Sequence, residues 1–311
     1  MNRIPICLPL TSFIAILCSV SMVWTQEAPR IFTIADFDLA GAVKSCLVRT
    51  NYGKETYDFN EKGVLTKAVT RFNDADYDIT YYKYAHGELS EKRVENYRDN
   101  IFDRATSYAN IYALDTLSGK KVSEQIISYS KEFLGQNEYH FDDQGNLVLI
   151  RHADNEGIDE IRLEYTTYKG ESTVTYLRDE VVQKTIRTSQ KKGKANSLHE
   201  VRLTKEFING EPSKALEQVY NEEGHLISEI KFKAADKTKK FQPEEEVSYT
   251  YDALGHVIEM RTKKQDKVVV KKYIYQFDDG DAGNWIKQIV TPDNTYISRT
   301  ISYYPNPEKA E

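Results

Sequence analysis

One local pattern recurs along this chain and restricts what it can fold into. Two or three aromatic or Asp/Asn positions precede a short polar gap, a glycine, one further residue and an apolar residue. The copies are Tyr57-Asp-Phe-Asn-Glu-Lys-Gly63-Val-Leu65, Tyr139-His-Phe-Asp-Asp-Gln-Gly145-Asn-Leu147, Val219-Tyr-Asn-Glu-Glu-Gly224-His-Leu226, Tyr249-Thr-Tyr-Asp-Ala-Leu-Gly255-His-Val257 and a stretched form, Tyr275-Gln-Phe-Asp-Asp-Gly-Asp-Ala-Gly283-Asn-Trp285. Tyr82-Lys-Tyr84-Ala-His-Gly87-Glu-Leu89 is a weaker copy. An Asp or Asn bonds backbone two residues on, and a glycine takes positive φ without a Cβ clash. Together they make a short hairpin turn followed by a bulge. Gly63, Gly145, Gly224, Gly255 and Gly283 are therefore assigned as structural turn residues.

The flanks alternate as half-buried strands do: Val247, Tyr249 and Tyr251 against Glu246, Ser248 and Thr250. Asn209-Gly210 is a separate two-residue hairpin signal. Residues 100–119 read as strands with a turn at Ser118-Gly119. The whole is expected to be all-β, an antiparallel meander of repeated hairpins with about fourteen to sixteen strands. An open twisted sheet seldom exceeds ~10 strands without bending, so the expected form is a long, curled or coiled sheet.

At this point Tyr251-Asp252 through Gly255-His256 resembles the YD repeat of RHS-like proteins, and Tyr57-Asp58 through Gly63 and Phe141-Asp142 through Gly145 are similar. Asp38-Leu-Ala-Gly41-Ala-Val-Lys-Ser45 resembles the opening of small secreted RHS-like proteins of Gram-negative bacteria. The resemblance covers residues 38–303 and implies an exported repeat protein of hairpins. Large RHS proteins wind many repeats into a shell around a toxin, and the few cassettes here argue against that role. Tyr220-Asn-Glu-Glu-Gly224 is also similar to MORN-like antitoxin repeats.

Residues 1–25 read as a secretory signal: Arg3 is followed by an apolar, uncharged run from Leu8 to Val23 and a small-residue site ending at Thr25. Cys18 follows Leu17, which leaves a lipoprotein variant open. The expected location is periplasmic, outer-membrane-associated or extracellular, with no integral membrane span after cleavage. The net charge of −6 becomes −7 without Arg3, which argues against nucleic acid as a partner. Only Cys46 survives cleavage, in a strand-like run where a thiol acts as a small buried apolar group.

Residues 26–42 form a tether and lead-in, 43–303 the hairpin domain, and 304–311 a tail, with a basic stretch at 189–197 marking a sub-boundary or a hairpin tip. Residues 234–246 read as a charged loop carrying Pro243. The chain has 22 Tyr against 2 Trp and 12 Phe, a bias that suits sheet faces with a ring packed and a hydroxyl reaching out.

No nucleotide, zinc-protease or nucleophile-elbow motif is present. His225 and His256 follow repeat glycines, and His86 precedes one, so they read as turn residues. His140, His152 and His199 show no ligand spacing. Asp74, Asp76 and Asp78 resemble half a calcium loop but lack its glycine and distal glutamate, while Asp278, Asp279, Asp281 and Asn284 gather oxygen ligands in an enlarged turn. No cofactor is expected and no enzyme is read. The functional expectation is a non-catalytic envelope scaffold or binding surface whose partner is an envelope protein or a glycan. A glycan-binding or glycan-acting protein, with Trp285 and exposed tyrosines as stacking platform, is the alternative; an immunity-like partner of a secreted toxin is another.

Overall fold

The structure is a computed structural model, which describes residues 28–116, 119–193, 196–235, 238–280 and 282–305. The signal segment, Asp281 and the end of the tail lie outside the described residues. After a 3-10 turn at Ile34–Phe37 the described residues run through strands joined by turns. The first half contains β1 (Val43–Thr50), β2 (Gly53–Phe59), β3 (Leu65–Arg71), β4 (Tyr77–Ala85), β5 (Glu88–Arg98), β6 (Ile101–Asp115), β7 (Lys121–Ser128), β8 (Phe133–Phe141), β9 (Leu147–Ala153) and β10 (Ile158–Tyr168). The second half contains β11 (Glu171–Arg178), β12 (Val181–Lys192), β13 (Leu198–Ile208), β14 (Glu211–Tyr220), β15 (Leu226–Ala234), β16 (Phe241–Tyr251), β17 (Val257–Lys264), β18 (Lys267–Phe277), β19 (Trp285–Thr291) and β20 (Thr295–Tyr303).

Each strand pairs antiparallel with the next, and β1 pairs with β20 as well as β2. Cys46 faces Ile301 and Val48 faces Arg299 across that seam. The sheet is therefore a closed ring of 20 strands, which corrects the expected long, curled or coiled sheet and its lower strand count. Closure leaves no unpaired edge. Some hairpins turn on two residues without glycine, such as Asp99-Asn100 and Asp179-Glu180, where both residues take positive φ. Of the basic stretch, the described residues 189–193 and 196–197 lie at the end of the β12–β13 hairpin, which is paired out to Lys192 with Leu198. Pro243 sits inside β16 opposite Phe232, at a register shift where no ladder hydrogen bond is demanded of it.

Following the register around the ring sorts the side chains onto two faces. One carries Cys46, Tyr57, Ala68, Thr80, Val94 and Tyr108 in adjacent strands, then Val122, Tyr139, Ile150 and Ile161. The other carries Arg49, Lys54, Arg71 and Tyr77, then Glu138, Arg151 and Glu160. The first face is where the core lies. Leu39, Phe32, Ile34 and Phe37 of the lead-in pack with Cys46, Val48, Phe59 and Leu65. A second cluster joins Tyr139, Ile150 and Leu163, and Ala28 packs against it.

That lead-in also shows which face is inside. The amide of Leu65 on β3 bonds the carbonyl of Phe32, whose ring meets Tyr82 on β4. Four residues earlier, Ala28 touches the cluster of β8–β10. Four residues reach about 14 Å, less than the ~19 Å between β4 and β8 along the wall. The lead-in thus cuts across the concave side, and the face that carries Cys46, Tyr57 and Tyr139 is the lumen.

Candidate functional site

The cassettes build one end of the barrel. All five turns join an even-numbered strand to the next odd one, so they share a rim. In four of them the first Asx oxygen accepts two amides: Asn60 from Lys62 and Val64, Asp142 from Gln144 and Asn146, Asn221 from Glu223 and His225, and Asp252 from Leu254 and His256. The glycines have φ between 61° and 87°. Each returning strand is bulged directly after the turn, as the jump from Phe59–Leu65 to Asp58–Lys67 shows.

A tyrosine from the following hairpin caps the carbonyl at that bulge. Tyr84 donates to Leu65 O at 2.6 Å, Tyr165 to Leu147 O at 2.8 Å, Tyr251 to Leu226 O at 2.6 Å and Tyr275 to Val257 O at 2.9 Å. The residue after the glycine makes a second inter-hairpin contact. His225 stacks on Tyr251 with centroids 4.7 Å apart, and His256 lies 5.2 Å from Tyr275. These rings and imidazoles are structural fasteners. The sequence signal for them is a tyrosine 18 or 19 residues beyond the carbonyl in three of the four cases.

The stretched cassette serves the seam. Asn284 receives the Ala40 amide at 2.8 Å and donates to Ala40 O and the Tyr303 hydroxyl. Trp285 is 3% exposed and donates its indole N–H to Asp38 at 2.7 Å. Arg299 lies 3.4 Å over the Trp285 ring and donates to the carbonyls of Phe37 and Asp38. Burial draws the Arg299 pKa below its ordinary value, opposed in part by Cys46 and Asp38, and burial pushes the Cys46 thiol up. Of the calcium candidates, Asn284 has its amide engaged by the lead-in, Asp278 accepts from Tyr303, and Asp281 lies outside the described residues. Burial also removes Trp285 from any stacking platform.

A second buried polar cluster lies in the lumen. Glu124 is 7% exposed and accepts from Asn110, Tyr112, Asn137 and Tyr139. Asn137 in turn meets His152 Nδ1 at 2.6 Å. Burial, then the Glu124 charge, pushes the Tyr112 and Tyr139 hydroxyls far above their usual range. Four neutral donors satisfy the carboxylate, and no nucleophile–base pair is formed. Asp74, Asp76 and Asp78 diverge to Lys54, Asn73 and Arg98 respectively. No group of three or more metal-ligating side chains occurs among the described residues.

At the rim opposite the cassettes, a groove of about 700 Å³ runs between three turns and is lined by residues 49–54, 71–74, 294–296 and Ser298. Tyr52, Phe72 and Tyr296 are exposed there by 66%, 53% and 57%. Arg49, Lys54 and Arg71 line the same groove, with Asp74 as its one carboxylate. Gly53 forms a floor where the strands approach closely, since a Cβ would sit 2.5 Å from the Arg71 carbonyl oxygen. None of the three rings belongs to a cassette, so the repeat gave no signal for them.

No protein family model matches the chain, and no curated protein sequence does. Among solved structures, a porin-like protein from Bacteroides uniformis is similar at 10% identity and TM-score 0.30, covering 84% of this chain and 98% of that one. A porin-like protein from Bacteroides vulgatus is similar at 10% identity and TM-score 0.27, covering 85% and 99%. The RHS/YD resemblance is corrected by the fold: no such family matches, and the hairpins close into one ring. Tyr-Asp followed by a turn glycine is what any Asx-turned, bulged hairpin of this kind selects.

Proposed function

We propose that this protein is an exported, non-catalytic β-barrel of the cell envelope that presents a binding surface and stands in water rather than in lipid. The outer face of the wall carries the reading. Glu138, Arg151 and Glu160 follow one another across β8, β9 and β10, and Arg151 pairs with Glu160 at 2.8 Å. Arg162 reaches Glu164 and Glu180, Lys83 and Arg93 share Glu91, and Lys263 faces Glu246. A lipid-facing wall alternates apolar-out, and a cation at its midplane costs ~2–4 kcal/mol. Such rows of ions are at home in water, where each pair contributes little but keeps the surface solvated. The inward face is mixed: its apolar residues hold the lead-in at β1–β3 and β8–β10, while Arg202, Glu206, Lys231 and Glu245 follow on β13, β15 and β16.

Glu124 is satisfied by four neutral donors, and the cassette tyrosines and histidines are engaged in inter-hairpin contacts, which supports a structural use of these groups. Carbonate extraction of membranes and detergent phase separation of the mature protein test the proposal. Release by carbonate and recovery in the aqueous phase are expected. Retention in the membrane and in the detergent-rich phase would overturn it in favour of a spanning barrel.

A further inference from the structure

We infer that the groove between the β1–β2, β3–β4 and β19–β20 turns binds an acidic saccharide, a reading that rests on the water-facing binding barrel proposed above. Three observations converge. The first is the rings: Tyr52, Phe72 and Tyr296 stand exposed around one concavity, at a rim where the cassette tyrosines are absent. Flat, half-wetted rings of this kind offer an apolar face to a sugar and, for tyrosine, a polar tip to its hydroxyls. The cavity falls within the range of ligand pockets, about 300–1,000 Å³.

The second is charge. Arg49, Lys54 and Arg71 face one carboxylate, Asp74, which leaves two positive charges in the groove of a chain whose net charge is −6. Lys54 meets Asp74 only at 3.9 Å, with both side chains largely in solvent. Arg49 donates one nitrogen to Thr300 at 2.8 Å, and Arg71 is steadied by the Tyr77 ring at 4.4 Å, so each guanidinium is positioned while solvent-facing donors remain. A planar fork of donors matches a carboxylate in two-point fashion. A sugar chain with about one carboxylate per residue suits two net charges; a nucleic acid, denser in charge, is repelled by the acidic remainder of the molecule.

The third is rigidity. Asn73 accepts the amides of Ala75 and Asp76 and donates to the Asp76 carboxylate, while Asp76 also takes the Asp99 amide. Arg98 stands 5.8 Å from the Phe72 ring on this braced turn. Thr50 ties its hydroxyl to Gly53 O and receives the Tyr52 amide. The rings are presented on turns already fixed, so little ordering is needed on binding.

Calorimetry with the mature protein tests the inference, using a uronic-acid oligosaccharide, a neutral glucose oligosaccharide of equal length and a single-stranded oligonucleotide. The uronate oligomer should bind, more weakly as salt rises. Tyr52→Ala combined with Tyr296→Ala should weaken it by about tenfold or more, the scale on which exposed aromatic anchors act. Arg71→Gln should reduce both affinity and salt dependence, while Tyr168→Ala, an exposed ring on β10 remote from the groove, should change neither. Equal binding of the neutral oligomer, preference for the oligonucleotide, or no binding of the uronate would each overturn the inference. Aqueous partitioning of a protein that fails to bind would still leave the water-facing barrel standing, so the two failures are separable.

Discussion

Replacing Gly255 by valine combines two penalties that the structure allows to be separated. Gly255 has φ +87°, where a β-branched residue is strained at a cost of about 1–3 kcal/mol. A Cβ there would also stand 2.9 Å from His225 Nε2. His225 cannot swing away freely, since its ring stacks on Tyr251, which caps the Leu226 carbonyl. Losing that stack and cap adds about 1–2 kcal/mol. Gly145 is the control, with φ +82° and nothing within 4 Å of its added Cβ. Gly145→Val should therefore show the backbone strain alone, and Gly255→Val about 2–5 kcal/mol in all. Urea denaturation followed by circular dichroism measures both, and Gly255→Val in a His225→Ala background should lose most of the excess. Equal destabilisation by the two glycine variants would refute the claim that the residue after one turn glycine fastens the next hairpin.

Other outcomes follow from the same geometry. Tyr275→Phe and Tyr84→Phe should each cost about 1 kcal/mol by uncapping a bulge carbonyl, read as a lowered urea midpoint. Burial pushes both of these hydroxyls up to about 12, so the stability they add is intact below their unfolded pKa near 10 and lost as pH rises from there through 12; alkaline titration of tyrosinate absorbance against ellipticity checks it. The Asp142 carboxyl is held below its usual value by the Asn146 side chain and by turn amides, so its contribution is present above about pH 4 and fades as pH falls further, an acid sensitivity that Asp142→Asn should blunt. Arg299→Met should destabilise by about 2–4 kcal/mol and expose the lead-in, seen as faster tryptic cleavage at Arg30 and faster labelling of the buried Cys46. Export should be cleaved near Thr25; mass spectrometry finding Met1 or a lipid on Cys18 would contradict that.

The hairpins were legible because Asn60, Asp142, Asn221 and Asp252 stand three residues before a glycine, a local chemistry with few other outcomes. The turns at Asp99-Asn100 and Asp179-Glu180 lack glycine, so the cassette pattern gave no signal for them. Closure had no local signal, because β1 and β20 meet only through partners such as Ser45 and Ser302, 257 residues apart. Arg299, between Ile297 and Ile301 on an inward face, packs on the buried Trp285, which the glycan-binding alternative alone had placed on a stacking platform. The groove escaped notice because its three rings come from turns that no repeat relates.

Closure of the ring is the claim on which lumen, outer face and groove all depend. Ser45 and Ser302 hydroxyls lie 2.7 Å apart across the seam, on directly paired residues. Directly paired antiparallel residues have Cα atoms about 4.5–5.5 Å apart, inside the roughly 4.4–6.8 Å that a disulfide spans. The double variant Ser45→Cys, Ser302→Cys, oxidised mildly at low protein concentration, should form an intramolecular crosslink and migrate faster on a non-reducing gel. An open, curled sheet would leave both thiols free or link separate molecules, and either result would contradict the closed barrel.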